Sequence, residues 1–430
     1  MGRNDISERY FEVLDIPKPE KYTDWMDFSV NEICARTYEL APMNIFFFRQ
    51  DFRDKNDGKP KSEFWRLRLV TRAILRKSLF IFSYRNLGPF IKHVQVEDAI
   101  EAHIKVMAWY RNKISADFIG ITGSVGKTST KDMLYCVMRQ AYKTGKSERN
   151  TNVQVKIGIN MQRISSDTEV FIQEIGGGRP GGASRHSRMI LPQATVVTNI
   201  GTAHLGNYES QEDLMRNKLQ IADGMREGGM LFLNKDDKLL ANAGLENNVT
   251  YFAVHNKDAD YYAENITELD GVTEFDIVSK EGRTHAVLNV LGEYNVLNAI
   301  CSFAIAKYYH MSDEDIVKGI SEFSTSGIRQ NLIEIGGCRL FVDCYNASLD
   351  SVRNSLTVVE KMSVDRDGHR YAVLGDITGM GEYANKINDE VANIIAGHEN
   401  IDKVVCFGNN AVEIREKAAE FGVDVIAIQE

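Results

Sequence analysis

A chain of 430 residues is too long for one ordinary core, so two or three domains are expected. Its 43% hydrophobic and 26% charged residues are those of a soluble globular protein, and a net charge of -9 argues against general nucleic-acid binding. Six scattered cysteines (Cys34, Cys136, Cys301, Cys338, Cys344, Cys406) form no metal-ligand pairs, MGRNDISERYFEVLD lacks an apolar signal core, and no run of about 18 apolar residues occurs, so the expectation is a cytoplasmic protein with reduced thiols and no transmembrane segment.

Residues 1–95 are irregular, aromatic-rich and poor in glycine turns, and are expected to form a small N-terminal α+β domain that binds substrate. Within them EFWRLRLVTRAILRKSLFIFSYRNL, 63–87, mixes basic with apolar residues. It reads as a partly buried helix whose basic stems lie along apolar surface, with a membrane-surface helix as the alternative.

From Val96 the pattern changes. VEDAIEAHIKVMAWYRNK has helical spacing and leads into a buried strand, DFIGIT, which breaks at Gly123 before a helix starting near Lys127. EVFIQEI (169–175) and ATVVTNI (194–200) read as further parallel strands, and GGGRPGGASRHSRMILP between them as a glycine loop followed by a short helix. GGMLFLN, DYYAENI, TEFDIVS and THAVLNV read as an antiparallel patch; YNVLNAICSFAIAKYY and DEDIVKGISEF read as helices.

After residue 326 CRLFVDCY, SLDSVRNSLTVVEKM, YAVLGDI, NDEVANIIAGH, KVVCFG, AVEIREKAAEFG and DVIAI alternate strand and helix, the pattern of a doubly wound parallel sheet. The expected fold class is therefore α/β in three domains. Residues 1–95 form the first, 96–326 a central P-loop ATPase domain with a mostly parallel sheet, and 327–430 a C-terminal Rossmann-like domain.

The glycine turn runs G-x-x-G-x-x-G-K-T, from Gly120 through Gly123 and Gly126 to Lys127 and Thr128, against the usual G-x-x-x-x-G-K-T. The physics is the same. Backbone N–H groups from Gly123, Ser124, Val125 and Gly126 into Ser129 can line one concavity, and the helix N-terminus adds partial positive charge. Lys127 would reach the β- and γ-phosphates, and Thr128 would offer its hydroxyl to magnesium.

Glu174, at the carboxyl end of a strand beside this loop, is placed to hold a magnesium ion. Taken alone, His204 in TNIGTAHLG reads first as structural, and Lys218 in RNKLQIADG as a solvated surface lysine. Asn295 and Asn298 open a helix, as caps or as contacts to a base edge. Arg329 falls at a candidate hinge, as a ligand contact or an interdomain salt bridge; Asp343 and Asn346 lie between a strand and a helix, where either can cap.

Taken together, GITGSVGKTSTKDML, Glu174 with its glycine loop, TNIGTAHLGNYES followed by NKLQIADGM, LGEYNVLNA, GIRQ, VDCYNAS and AVLGDITGMG resemble, in order, the Mur ligase family. These are ATP-dependent amide-forming enzymes of peptidoglycan precursor synthesis. Lys131 and Asp132, the Tyr345-Asn346-Ala347 box and the VLGD box at 373–376 are most similar to its D-alanyl-D-alanine-adding branch. The resemblance covers roughly residues 96–410.

It implies that Lys127 and Thr128 bind phosphates and magnesium, and that Glu174 and His204 serve two magnesium ions. Lys218 would be the lysine carbamylated in many members, a carboxylate-like ligand to the second ion. Asn295 would contact adenine, and Arg329 and Asp343 would hold ATP from the third domain. The implied partners are a small-molecule or nucleotide-peptide acyl donor and an amino-acid or dipeptide amine, met by a monomer that binds no nucleic acid.

The chain departs from the family pattern at Tyr294, Gln154, Val155, Asn160, Ser348, Leu349, Gly379, Met380 and Asn388. Its N-terminal region keeps only a trace of the uridine-nucleotide boxes, in ELAPMNIFFF, and the sequence ends at Glu430, before a K-G-S-type strand and loop. Three functions stay open: the peptidoglycan ligase, a ligase of the same chemistry with other substrates, and a non-catalytic nucleotide-binding protein.

Overall fold

The computed structural model describes residues 33–34, 45–48, 70, 80–88, 91, 93–148, 151–245, 248–269, 271–325, 328–364, 367–378, 380 and 383–429. The described strands of the N-terminal region, β1 (Ile33–Cys34), β2 (Ile45–Phe48), β3 (Phe80–Ser83) and β4 (His93–Gln95), pair in that order, all parallel. Phe80–Ser83, read from sequence as the end of a basic helix, is thus a strand. Ile81, Phe82 and Ser83 are all buried, because a parallel strand is covered on both faces. The remainder of 63–79, apart from the buried Val70, lies outside the described residues, as does most of ELAPMNIFFF. Among the described residues no helix is long and apolar enough to cross a membrane.

Helix α1 (Ala99–Arg111) is capped by Asp98, whose carboxylate accepts from the Ile100 and Glu101 N–H groups, and it buries Ile104, Val106 and Met107. The central units follow: β5 (Asp117–Thr122), α2 (Lys127–Met138), β6 (Thr144–Lys146), α3 (Gln154–Gln162), β7 (Val170–Glu174), α4 (Gly182–Ile190), β8 (Ala194–Val197), α5 (Gln211–Leu219), β9 (Met230–Asn234), α6 (Lys238–Ala241) and β10 (Val249–Ala253). Next come β11 (Tyr261–Leu269), β12 (Val272–Ser279), β13 (Gly282–Leu288), α7 (Glu293–Tyr308) and α8 (Asp313–Ser321).

They build one nine-stranded sheet in the order β13-β12-β11-β10-β9-β8-β5-β7-β6. From β6 to β11 neighbours are parallel, and β11 to β13 form an antiparallel flap. MLFLN therefore belongs to the parallel part, not to the antiparallel patch expected from sequence. Phe118, Val197 and Ile175 pack with α1 and α4 on one face, while Ile119, Ile121 and Phe232 pack with α2 and α7 on the other. This two-sided burial explains why β5 reads as an unbroken apolar run.

The C-terminal part opens with an antiparallel hairpin, β14 (Asn331–Ile335) and β15 (Cys338–Val342), standing apart from the parallel sheet that CRLFVDCY was expected to join. After α9 (Leu349–Lys361), strands β16 (Tyr371–Gly375), β17 (Lys403–Phe407) and β18 (Val425–Ile428) pair in parallel, linked by α10 (Ala384–Ala396) and α11 (Ala411–Glu420). Their core runs through Leu356, Ile387, Val391, Val404 and Ile414.

Candidate active site

β5 ends where the chain must turn sharply, and two glycines make that possible. Gly123 has φ 150°, and a Cβ there would stand 1.9 Å from the Thr198 hydroxyl; Gly126, at φ 82°, begins α2 in the left-handed region. The end of β8 staples the loop. Asn199 Oδ1 accepts from the N–H groups of Ser124 (3.1 Å) and Val125 (2.9 Å), and the Thr198 hydroxyl donates to Val125 O at 2.6 Å. Sequence reading missed Thr198 and Asn199 as partners of the loop; a Thr-Asn pair directly after an apolar strand was the available signal.

Lys127 folds back over the turn, donating from Nζ to Gly123 O (2.8 Å) and Ser124 O (2.9 Å). Lys218 is not a surface lysine. It is 1% exposed at the end of α5 and donates from Nζ to the same Gly123 carbonyl at 2.9 Å. Burial, reinforced by neighbouring Lys127, drives its pKa well down, which favours the neutral amine. His204, in a left-handed conformation (φ 67°), is exposed, yet it is desolvated enough, and near enough to Lys127 and Lys218, that its pKa is lowered as well. Gly178 lies against the imidazole: a Cβ there would sit 3.3 Å from the ring.

Thr128 and Glu174 meet as the spacing implies. The Thr128 hydroxyl donates to Glu174 Oε2 at 2.8 Å, and Asn152 Nδ2 donates to Oε1 at 2.8 Å. Lys131, buried, lies 4.0 Å from the same carboxylate and 3.7 Å from Asp132. A hydroxyl and a carboxylate side by side form a hard oxygen pair suited to Mg²⁺, which completes its shell with phosphate and water oxygens. His204 and Lys218 as they stand offer one imidazole and one amine; they fit a second Mg²⁺ only if Lys218 carries a carbamate. Among the described residues no group of three or more His, Cys, Asp or Glu side chains is clustered for a metal.

A cleft of about 360 Å³ opens between the glycine turn and the C-terminal part. Its wall takes Val125, Gly126 and Ser129 from the turn, and Arg329, Asp343 and Tyr345 from the far side. The Arg329 guanidinium stacks 3.6 Å from the centre of the Tyr345 ring. Asp343 accepts from Ser355 Oγ at 2.9 Å, yet burial holds its carboxyl above the usual range. Asp350, also on the wall, likewise has a raised pKa, first through burial.

Asn295 does not stand on this wall. It is 1% exposed and donates to Leu291 O at 2.8 Å, just ahead of its own helix, while Tyr294, Leu297 and Asn298 face the cleft. Asn298 accepts from Thr130 at 2.8 Å, tying α7 to α2. Three of the departures from the family pattern are absorbed internally. Gln154 meets His103 at 3.0 Å, Asn160 donates to Gln173 at 3.0 Å, and Asn388 donates to Glu413 at 2.8 Å.

Comparison with known proteins agrees with this geometry. The Mur ligase middle domain matches residues 121–306, and the Mur ligase glutamate ligase domain matches residues 329–430. The UDP-N-acetylmuramoyl-tripeptide–D-alanyl-D-alanine ligase of Bacillus subtilis is 31% identical over 327 residues, 76% of this chain and 70% of that enzyme. The Escherichia coli enzyme of the same name is 25% identical over 339 residues, 77% and 74% of the two chains. In fold, MurF from Acinetobacter baumannii aligns with a TM-score of 0.82 at 22% identity, covering 98% of this chain and 89% of that one. MurF ligase from Thermotoga maritima in complex with ADP aligns at 0.75 and 19% identity, covering 93% and 88%. The chain belongs to the Mur ligase family of ATP-dependent, amide-forming ligases.

Proposed function

We propose that this ligase joins D-alanyl-D-alanine to a UDP-N-acetylmuramoyl tripeptide, the reaction named for its Bacillus subtilis and Escherichia coli relatives. The observation that carries the reading is the convergence on Gly123: Lys127 and Lys218 on one carbonyl, with His204 in the field of both. A kinase needs one such lysine. The second, as a carbamate beside the imidazole, would give a further metal ligand where a second anion, the carboxylate, must approach the γ-phosphate.

A carboxylate is a poor electrophile, so its oxygen first attacks the γ-phosphorus. The bond to the bridging oxygen breaks, ADP leaves, and an acyl phosphate remains. The amine lone pair then adds to the acyl carbon, the carbon–oxygen bond to phosphate breaks, and the ammonium proton is released to solvent. Lys127, freed from Gly123 O and Ser124 O, follows the phosphoryl group and offsets the charge of two anions meeting. A Mg²⁺ held at Thr128 and Glu174 would neutralise the β- and γ-phosphate oxygens. Arg329, Asp343 and Tyr345 hold the nucleoside from the C-terminal side, and closure there keeps water from the acyl phosphate. Burial pushes Lys218 toward the neutral amine, the form that reacts with CO₂ to give a carbamate.

The departures at Gln154, Asn160 and Asn388 serve internal hydrogen bonds, so they give no reason to change the substrates. The test is isotopic. With an acyl donor labelled by ¹⁸O in its carboxylate, released phosphate should carry one labelled oxygen; unlabelled phosphate from productive turnover rules out the acyl phosphate.

A further inference from the structure

Lys131 and Asp132 take no part in the steps above, although both sit on α2 beside the Thr128–Glu174 pair. Lys131 is 1% exposed, and its ammonium stands between two carboxylates, 3.7 Å from Asp132 Oδ1 and 4.0 Å from Glu174 Oε2. Each distance allows ion pairing and is too long for a hydrogen bond, so neither carboxylate has captured the charge. Glu174 Oε2 is also the oxygen that takes the Thr128 hydroxyl, while Oε1 takes Asn152. The buried ammonium thus leans on the oxygen that would ligate Mg²⁺ beside Thr128.

The contacts run outward as a chain of alternating charge. Lys146, the last residue of β6, donates from Nζ to Asp132 Oδ1 at 2.9 Å and lies 4.5 Å from the centre of the Tyr135 ring. β6 is the parallel neighbour of β7, which ends in Glu174, so one helix and two adjacent strand ends set out cation, anion, cation and anion in order. The outer pair meets water: the Lys146 and Asp132 side chains are 33% and 37% exposed, against 2% for both Lys131 and Glu174. Burial lowers the Lys131 pKa, and Asp132 and then Glu174 draw it back up. A flexible four-carbon stem lets the ammonium move between its two partners.

We infer that Lys131 is a positioning residue with two stations, paired with Glu174 before Mg²⁺ binds and handed to Asp132 when it does. The inference rests on the metal pair of the ligase reading and adds to it a device that sets how tightly that pair holds the ion. Mg²⁺ binds a carboxylate oxygen at about 2.0–2.1 Å, well inside the 4.0 Å at which the ammonium stands, so the two cations compete for Oε2. Asp132 relieves the competition by taking the ammonium, and Lys146, on the same Oδ1, limits how readily it does so. The site therefore holds a metal loosely by itself and firmly once phosphate oxygens complete the shell. The ion arrives with the nucleotide rather than ahead of it.

The experiment measures metal affinity apart from turnover. Mn²⁺, a paramagnetic stand-in for Mg²⁺, is titrated into the full chain held in excess over ADP, and free Mn²⁺ is read by electron paramagnetic resonance. Lys131→Met should bind Mn²⁺ about tenfold tighter, because a buried cation beside the site is gone, and Lys131→Arg, which keeps the charge, should bind no tighter than wild type. Asp132→Asn should bind about fivefold weaker, since the ammonium then stays on Glu174. The decisive case is the double variant: with Lys131→Met in place, Asp132→Asn should cost nothing further. Asp132 is partly exposed, so its single variant tests the idea even if the buried change unfolds the chain. Its loss should persist at about 1 M salt, where the field of a partly exposed carboxylate is screened. Unchanged or weaker binding in Lys131→Met, an Asp132 effect that survives without Lys131, or one that salt abolishes, overturns the inference, as does wild type that binds no Mn²⁺. Wild type with this pattern that makes no amide counts against the ligase reading alone; a working ligase without the pattern counts against the role of Lys131 alone.

Discussion

Substituting Gly123 by alanine tests the geometry of the turn more sharply than removing any charge. Its φ of 150° is open to glycine and costly for alanine, about 1–3 kcal/mol. The new Cβ would also stand 1.9 Å from Thr198 Oγ1. The hydroxyl must swing away and give up its 2.6 Å bond to Val125 O, about 0.5–1.5 kcal/mol more. The total is roughly 2–4 kcal/mol, or about 5–15 °C in the melting temperature of a unit this size. Gly126→Ala is the internal control. It too has positive φ, 82°, but its Cβ would meet nothing closer than Asn298 Oδ1 at 3.5 Å. It should lose only about 1–2 kcal/mol. Scanning calorimetry measures both shifts, and ATP-dependent ligation measures the loop's grip on phosphate, which Gly123→Ala should weaken the more. The reasoning is refuted if Gly123→Ala melts with wild type, or if Gly126→Ala does the greater damage.

Three further outcomes are expected. Lys127→Ala should abolish ligation, by about a thousandfold or more in kcat, as product formation will measure; near-normal turnover contradicts its assignment. Activity assayed in CO₂-free buffer should fall and be restored by bicarbonate, while Lys218→Met should lose both the activity and the response and melt no lower, since it removes a buried amine beside Lys127; indifference to bicarbonate rules out the carbamate. Asp350 is half-buried and desolvated, so its folded pKa lies above the unfolded one; its stability contribution is lost as pH rises through that raised value. Asp350→Asn should therefore melt higher than wild type near pH 7 and converge with it by about pH 4, and a constant difference across that range would remove the titration from the explanation.

Much of the fold was legible because its signals are local. A strand, a glycine turn and an amphipathic helix announced the loop at 117–138, and the Thr128–Glu174 contact follows from which strand ends lie beside it. Other features were hidden for physical reasons. MLFLN is a short apolar run, and such a run carries no record of its neighbour's direction. The strands Thr144–Lys146 and Val249–Ala253 went unread because both are short and only partly apolar. FIFS continued a segment rich in helix formers, and only its parallel partners make it a strand.

Single polar residues were the least legible. Nothing near Lys218 in sequence says that its amine is buried against Gly123, since the contact spans 95 residues. Asn295 and Asn298 looked interchangeable until one turned inward to its own helix and the other toward the cleft. Asn388 read only as a departure from the family pattern and is a tie between two helices.

The most direct measurement is phosphate release from ATP with UDP-N-acetylmuramoyl tripeptide and D-alanyl-D-alanine, supplied singly and together. Release should require both, with ADP, phosphate and amide formed one for one. Tight ATP binding with no release dependent on the pair would contradict the account.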